Sequence, residues 1–191
     1  MKKMYIALLT GATLSLTSCA EKEVTYKLDA KATTLNWTGK YIADGHAHTG
    51  TVNVTGGSMA FKGEELVSGD FTVDLTTLKS TDLSGAMADT LDAHLNGMYF
   101  FNTAKYANVD VKVNEISAKE IKATLTVMGK KIDAVMPVKM TKDEKSLKAK
   151  GKFVVDFAPA PVVGFKALEG EPENAHVDSK ISFEINLVMK K

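Results

Sequence analysis

The chain has 191 residues, of which 45% are hydrophobic and 25% are charged, and its formal net charge is +1. This length and apolar fraction suit one globular domain with a substantial core, and the single cysteine excludes a disulfide framework within the chain. With a net charge near zero, the chain lacks the basic excess of a nucleic-acid-binding protein. All 24 basic residues are lysine, so the chain also lacks the guanidinium group that usually holds phosphate or carboxylate.

Residues 1–18 have the pattern of a bacterial lipoprotein signal peptide. Lys2 and Lys3 precede a short apolar run, which ends in small residues directly before Cys19. The run is too short and too rich in Thr and Ser to span a membrane, and its pattern is typical of a secretory leader. The end of the run resembles a lipobox. We therefore expect Cys19 to be lipidated after cleavage, and residues 19–23 to tether the fold to a membrane of the cell envelope, in the periplasm or at the outer membrane.

From residue 24 onward, apolar and polar residues alternate along most of the chain. The eight alternating runs are 35–41, 50–54, 71–75, 109–113, 121–127, 132–140, 147–157 and 181–189, and residues 24–28 are a candidate for a short ninth. A period of two predicts strands with one face towards an apolar interior and the other towards water. Pro137 lies in one run and cannot donate a ladder hydrogen bond, which indicates a bulge or a barrel rim. Gly56-Gly57 is predicted to be a turn.

Short connections between the later runs make these strands antiparallel neighbours. Eight amphipathic antiparallel strands form either a closed barrel or a two-sheet sandwich. The length of the strands favours the barrel, and closure removes exposed sheet edges. We therefore predict an all-β protein with an eight-stranded antiparallel barrel.

Two segments break the alternation. Residues 82–97 predict the one helix, because their apolar residues recur at helical spacing, Asp82 can cap the start and Gly97 can end it. Residues 158–178 form a long loop that contains three of the four prolines. Loops of this length in compact domains usually act as covers or lids.

The histidines offer an alternative function. His46 and His48 stand two residues apart and could chelate a metal, and His94 could carry a proton. No third ligand stands near the pair in the sequence, so surface or hydrogen-bonded histidine is the simpler interpretation. A metal-binding or enzymatic protein remains the alternative. No Gly-x-Ser-x-Gly or Ser-x-x-Lys motif is present, and we expect no enzymatic activity, no metal and no cofactor.

The inward-facing residues define a candidate interior, which either forms a filled core or encloses a cavity. The candidates are Leu35, Trp37, Tyr41, Phe71, Val73, Leu91, Leu95, Met98, Phe100, Phe101, Val111, Leu125, Val127, Phe153, Val155, Phe183 and Ile185. The interior of an eight-stranded barrel is either just filled by side chains or large enough for one small ligand. Both a structural or interaction module and a ligand-binding protein therefore remain open, although Met87, Met98, Met136 and Met140 favour an adaptable ligand surface.

Six segments resemble the YceI-like family of bacterial exported proteins. They are residues 26–29, 35–40, 45–52, 69–75, 91–102 and 125–131. The most specific is 91–102, in which a His-Leu helix end and Phe-Phe-Asn, followed by Lys105-Tyr106, resemble the family's pattern. The chain departs from that pattern at Met128, where the family has His, and at Ala107, where it has Pro.

The resemblance implies a lipocalin-like barrel, formed by residues 24–191, whose apolar tunnel holds an isoprenoid such as a polyprenyl or quinone-like lipid. It also implies that the helix and the Phe-Phe segment form part of the cavity wall. The ligand-binding residues that we expect are Trp37, Tyr41, Phe71, Leu91, Leu95, Met98, Phe100, Phe101, Val111, Leu125, Phe153 and Phe183. Since the chain has no arginine, a neutral or weakly polar head group is expected.

The partners implied are thus an isoprenoid lipid and, through the anchor on Cys19, a membrane. A short tether would keep the mouth of the barrel within reach of that membrane. No nucleic acid is expected as a partner, and the oligomeric state is left open.

Overall fold

A computed structural model describes residues 21–191 of the chain, so the predicted signal peptide and the predicted lipidation site, Cys19, lie outside the described residues. The elements in chain order are β1 (Glu23–Leu28), β2 (Thr34–Lys40), β3 (Ala47–Lys62), β4 (Glu65–Ser80), α1 (Ala86–Asn96), β5 (Asn108–Ile116), β6 (Glu120–Val127), β7 (Lys130–Pro137), β8 (Lys139–Lys142), β9 (Ser146–Asp156) and β10 (Lys180–Lys190). A single 3-10 turn, Val163–Phe165, lies between β9 and β10. Only Glu21 and Lys22 of the predicted tether precede β1 in this part of the chain.

All of these strands join one antiparallel sheet, which closes into a barrel. The ladder runs β7-β6-β5-β4-β3-β1-β10-β9-β8, and β2 pairs with both β3 and β10. The sheet closes between β7 and β9, whose backbones lie close together. Gly151 of β9 is so near Pro137 of β7 that an added Cβ would overlap the carbonyl oxygen of Pro137. The prediction of an all-β, lipocalin-like antiparallel barrel with one helical insertion is confirmed.

The described chain has ten strands rather than the eight predicted, and they occupy eight positions around the barrel. Strands β1 and β2 share one position, because both pair with β3 and β10, at different points along them. Strands β7 and β8 share another, since β7 pairs with β6 and β8 pairs with β9. Pro137 ends β7, and its missing N–H explains the interruption before β8.

Strands β3 and β4 are longer than the runs that predict them, with 16 residues each. Their pairing register shifts at three places. Such bulges place an extra residue in one strand and so interrupt the two-residue period. The prediction that Gly56-Gly57 forms a turn is wrong, because both residues lie within β3.

The helix is shorter than predicted. It begins at Ala86 rather than near residue 82 and ends at Asn96, with Gly97 as the C-cap as expected. The prediction that Asp82 caps the helix is wrong. Its N-cap is Gly85, whereas the carboxylate of Asp82 accepts hydrogen bonds from the His48 ring and the Thr49 N–H. A partner on a neighbouring strand thus replaces the local cap.

The two ends of the barrel differ. The closed end carries the start of β1 and the β3–β4 and β8–β9 turns, and its interior is filled by side chains with little or no exposure. These are Tyr26, Met59, Phe61, Leu147 and Met189. The mouth end carries the β2–β3 turn, α1 and the long loop before β10. Within residues 21–191 no helix has the length and apolarity that crossing a bilayer requires.

Candidate functional site

A cavity of about 350 Å³ lies inside the barrel, between the closed end and the mouth. Its walls come from the inward faces of most strands, from α1 and from the connections at the mouth end. Inward positions alternate with solvent-facing ones wherever the strands pair regularly, and the inward residues are mostly apolar, so the lining is almost entirely apolar. The volume falls within the range of small-molecule sites. The interior is therefore packed at one end and hollow in the middle, which does not support the alternative of a completely filled core.

An aromatic row forms one wall of the cavity. Trp37 pairs with Phe183, and Phe183 pairs with Phe153, across β2, β10 and β9. The rings of Phe153 and Phe183 stack with their centroids 5.6 Å apart. Gly50, opposite Trp37 in the ladder with β3, makes room for the indole, because a Cβ on Gly50 would lie 2.3 Å from Trp37 Cζ2. The row presents apolar aromatic side chains to whatever occupies the cavity.

The facing wall is built from β4, β5 and β6. Phe71 pairs with Val111, and Val111 pairs with Leu125, so the three side chains form one layer across the sheet. All three line the cavity. Val111, in the middle of this layer, is the smallest of the three.

Helix α1 and the long loop cover part of the mouth. Leu91 and Leu95 of α1 line the cavity, although no residue of this helix is fully buried. Phe165 of the loop packs against Phe100 and Phe101, with ring centroids 5.9 and 6.3 Å apart. The loop therefore contributes to the cavity wall, as its length predicts.

Five polar side chains besides Trp37 also line the cavity, and all of them lie at the mouth end. This mouth collar consists of Lys40, Tyr41, His46, His48 and His94. The Tyr41 and His46 rings stack 5.3 Å apart, and the His46 and His48 rings lie edge to face at 5.4 Å. The side chain of His46 lines the cavity and is 53% exposed, so the cavity reaches solvent here.

Carboxylates hold two of the collar histidines. Nδ1 of His46 lies 2.6 Å from Asp44, and Nδ1 of His48 lies 2.8 Å from Asp82. The N–H and ring of His46 hold the pKa of Asp44 below its ordinary value. Burial opposes ionisation of Asp82, but hydrogen bonds from His48 and from the Thr49 N–H outweigh it and lower the pKa. Both carboxylates are therefore ionised at neutral pH and accept a hydrogen bond from the adjacent ring.

Eleven of the twelve predicted ligand-binding residues line the cavity. The exception is Met98, which is 81% exposed and does not reach the interior. Its predicted place in the wall is corrected, because α1 ends before it and the chain turns it outward. Met87 is also exposed, whereas Met136 lines the cavity. The ligand-binding role of the other eleven residues stays a prediction.

Some residues at the mouth are not predictable as cavity residues from the sequence. Phe165 and Val177 come from the irregular loop, where no periodic pattern signals which side chains point inward. The sequence indicates the collar histidines only as possible metal ligands or proton carriers. Their shared position at one end of the barrel follows from the topology, since β2–β3 and α1 meet there.

The metal-site alternative gains no support from the geometry. Within residues 21–191 no group of three or more His, Cys, Asp or Glu side chains could hold a metal ion. His46 and His48 are adjacent, but each uses its Nδ1 to pair with a carboxylate. The collar thus offers hydrogen-bonding groups around an apolar cavity.

Comparisons with known proteins show what this chain is similar to. A family model for the YceI-like domain matches residues 26–189. The crystal structure of BcnA from Burkholderia cenocepacia is similar with a TM-score of 0.60 at 15% identity, covering 84% of this chain and 98% of BcnA. A YceI protein from Campylobacter jejuni gives a TM-score of 0.48 at 13% identity, covering 100% and 90% of the two chains. No curated protein matches the sequence.

Proposed function

The chain belongs to the YceI-like domain family, and from this premise we propose that it is a binding protein that holds a long apolar isoprenoid, a polyprenyl or quinone-like lipid, inside its barrel. The observation that carries the proposal is the apolar cavity, which is closed at one end by packed side chains and open at the mouth. This shape suits a slender chain that enters through the mouth. The proposed role requires no chemistry, so we propose a carrier or a store and not an enzyme.

Apolar burial alone gives such a protein useful affinity. Each buried methylene contributes about 0.8 kcal/mol, so about ten of them contribute about 8 kcal/mol, the scale of a micromolar Kd. The cost of immobilising the ligand reduces this figure, and a longer chain offsets that cost. The aromatic row and the Phe71–Val111–Leu125 layer supply the contacts on two sides.

We further propose that the protein is exported and anchored through a lipid on Cys19. In this arrangement the described chain enters the barrel at Glu23, at the closed end. Residues 20–22 reach at most about 11 Å when extended, so the anchor would hold the closed end near the membrane. The expectation that the tether keeps the mouth at that membrane therefore has no support in the geometry, and the mouth would face away.

The test is extraction of the ligand from protein purified from its native host. An organic extract analysed by mass spectrometry should contain a prenyl lipid in an amount close to that of the protein. The control is the variant Val111→Phe, prepared in parallel, whose narrowed cavity should retain much less. An extract without prenyl lipid, or equal amounts from both proteins, would contradict the proposal.

A further inference from the structure

All four histidines of the chain lie at the mouth end of the barrel. His46, His48 and His94 line the cavity, and His176 follows in the loop beside Val177, which also lines it. Most of the cavity wall has no polar group, so these rings concentrate its hydrogen-bonding capacity at one place. A ligand whose chain fills the cavity must leave its head at this place.

The His48–Asp82 pair fixes which hydrogen bonds the ring can make. The ionised carboxylate of Asp82 can only accept hydrogen bonds, so Nδ1 of His48 carries a proton and donates a hydrogen bond to it. In the neutral ring, Nε2 then has no proton and can only accept. No partner for this nitrogen is found among residues 21–191. The His46–Asp44 pair has the same arrangement but is more exposed.

The charges around the collar disfavour an anionic head. Asp44 and Asp82 place two carboxylates directly behind the histidine rings. Lys40 is the only lysine among the described residues that lines the cavity, and the chain contains no arginine. A phosphate or carboxylate head would therefore meet two like charges and a single compensating ammonium group.

We propose that the mouth collar recognises a hydroxyl head group, of an alcohol or a phenol, which donates its hydrogen bond to Nε2 of His48. The inference rests on the proposed function, since the apolar chain of the same ligand occupies the cavity. Asp82 acts as a positioning residue that fixes the tautomer of His48. The Tyr41 hydroxyl, which also lines the cavity, can donate to the oxygen of the same head.

The experiment compares heads on one chain by displacement of all-trans-retinol from the full-length protein. The competitors are geranylgeraniol, its methyl ether, geranylgeranyl diphosphate and a hydroquinone with the same prenyl chain. A compound with a hydroxyl donor should bind about tenfold more tightly than the ether, which corresponds to one hydrogen bond to the partly buried His48 ring. The diphosphate should bind no better than the ether. The order of the alcohol and the hydroquinone identifies which source of the hydroxyl the site prefers.

Two variants assign the preference to the ring. His48→Leu should lower the affinity for the preferred hydroxyl compound about tenfold and leave the affinity for the ether unchanged, which also shows that the variant is folded. Val154→Phe, at a solvent-facing position of β9 that is 53% exposed and lies outside the collar, should keep the preference. Equal binding of all four heads, or tighter binding of the diphosphate, would overturn the head-group inference while leaving the proposed function intact. Failure of every compound and of retinol to bind would overturn both.

Discussion

Filling the cavity at Val111 should weaken ligand binding without unfolding the protein. Val111 stands between Phe71 and Leu125 in the ladder and faces the hollow part of the barrel. The substitution Val111→Phe adds about four carbon atoms, which should displace about four carbons of a bound chain. At about 0.8 kcal/mol per methylene, the loss is about 3 kcal/mol, or a Kd about 100-fold higher.

The assay is titration with all-trans-retinol, an isoprenoid alcohol whose fluorescence reports on its surroundings. The matched control is Val154→Phe, the same exchange at a position of β9 that is 53% exposed and faces solvent. The control should bind retinol like the unchanged protein, and both variants should keep their thermal unfolding midpoints, because the new ring at Val111 enters existing space. If Val111→Phe binds retinol as tightly as the control, the chain does not occupy the space between the two walls.

Two further predictions concern stability. Gly50→Ala should lower the free energy of unfolding by about 1–3 kcal/mol in urea denaturation, because the new methyl group would overlap the Trp37 ring. The control is Gly56→Ala on the same strand, which should lower it much less, because a Cβ added there would meet no atom within 4 Å. Equal losses in the two variants would contradict the packing described. Hydrogen bonds from the Ala158 N–H and the Ser179 hydroxyl lower the pKa of Asp156 below 3.8. The ionised Asp156 carboxylate therefore stabilises the fold above pH 3.8, and this stabilisation is lost as the pH falls through the lower pKa of the folded state. The melting temperature of Asp156→Asn should thus fall less steeply between about pH 5 and pH 3 than that of the unchanged protein.

The barrel could be predicted because its physical requirement is visible locally. A strand between a hollow interior and water must alternate, and the chain alternates wherever pairing is regular, as in β6 and β9. The predictions failed where the backbone departs from that regularity. Bulges in β3 hide its length, and Pro137 divides one strand position between β7 and β8.

The cavity wall could also be predicted in large part, since large inward residues at alternating positions have nowhere else to point. Its boundary could not, because it depends on contacts between segments far apart in the sequence. The partner of Asp82 is His48, 34 residues away, and no local pattern indicates that this pair replaces a helix cap. Phe165 likewise reaches the cavity only through the path of an irregular loop.

The most direct test is an electron-density map of the barrel interior, from crystals of protein purified from its native host. We expect a continuous, slender feature that runs from the mouth collar, past the stacked rings of Phe153 and Phe183, towards Met59. A lumen occupied only by the protein's own side chains, with no room for a hydrocarbon chain between the two walls, would contradict the proposed function.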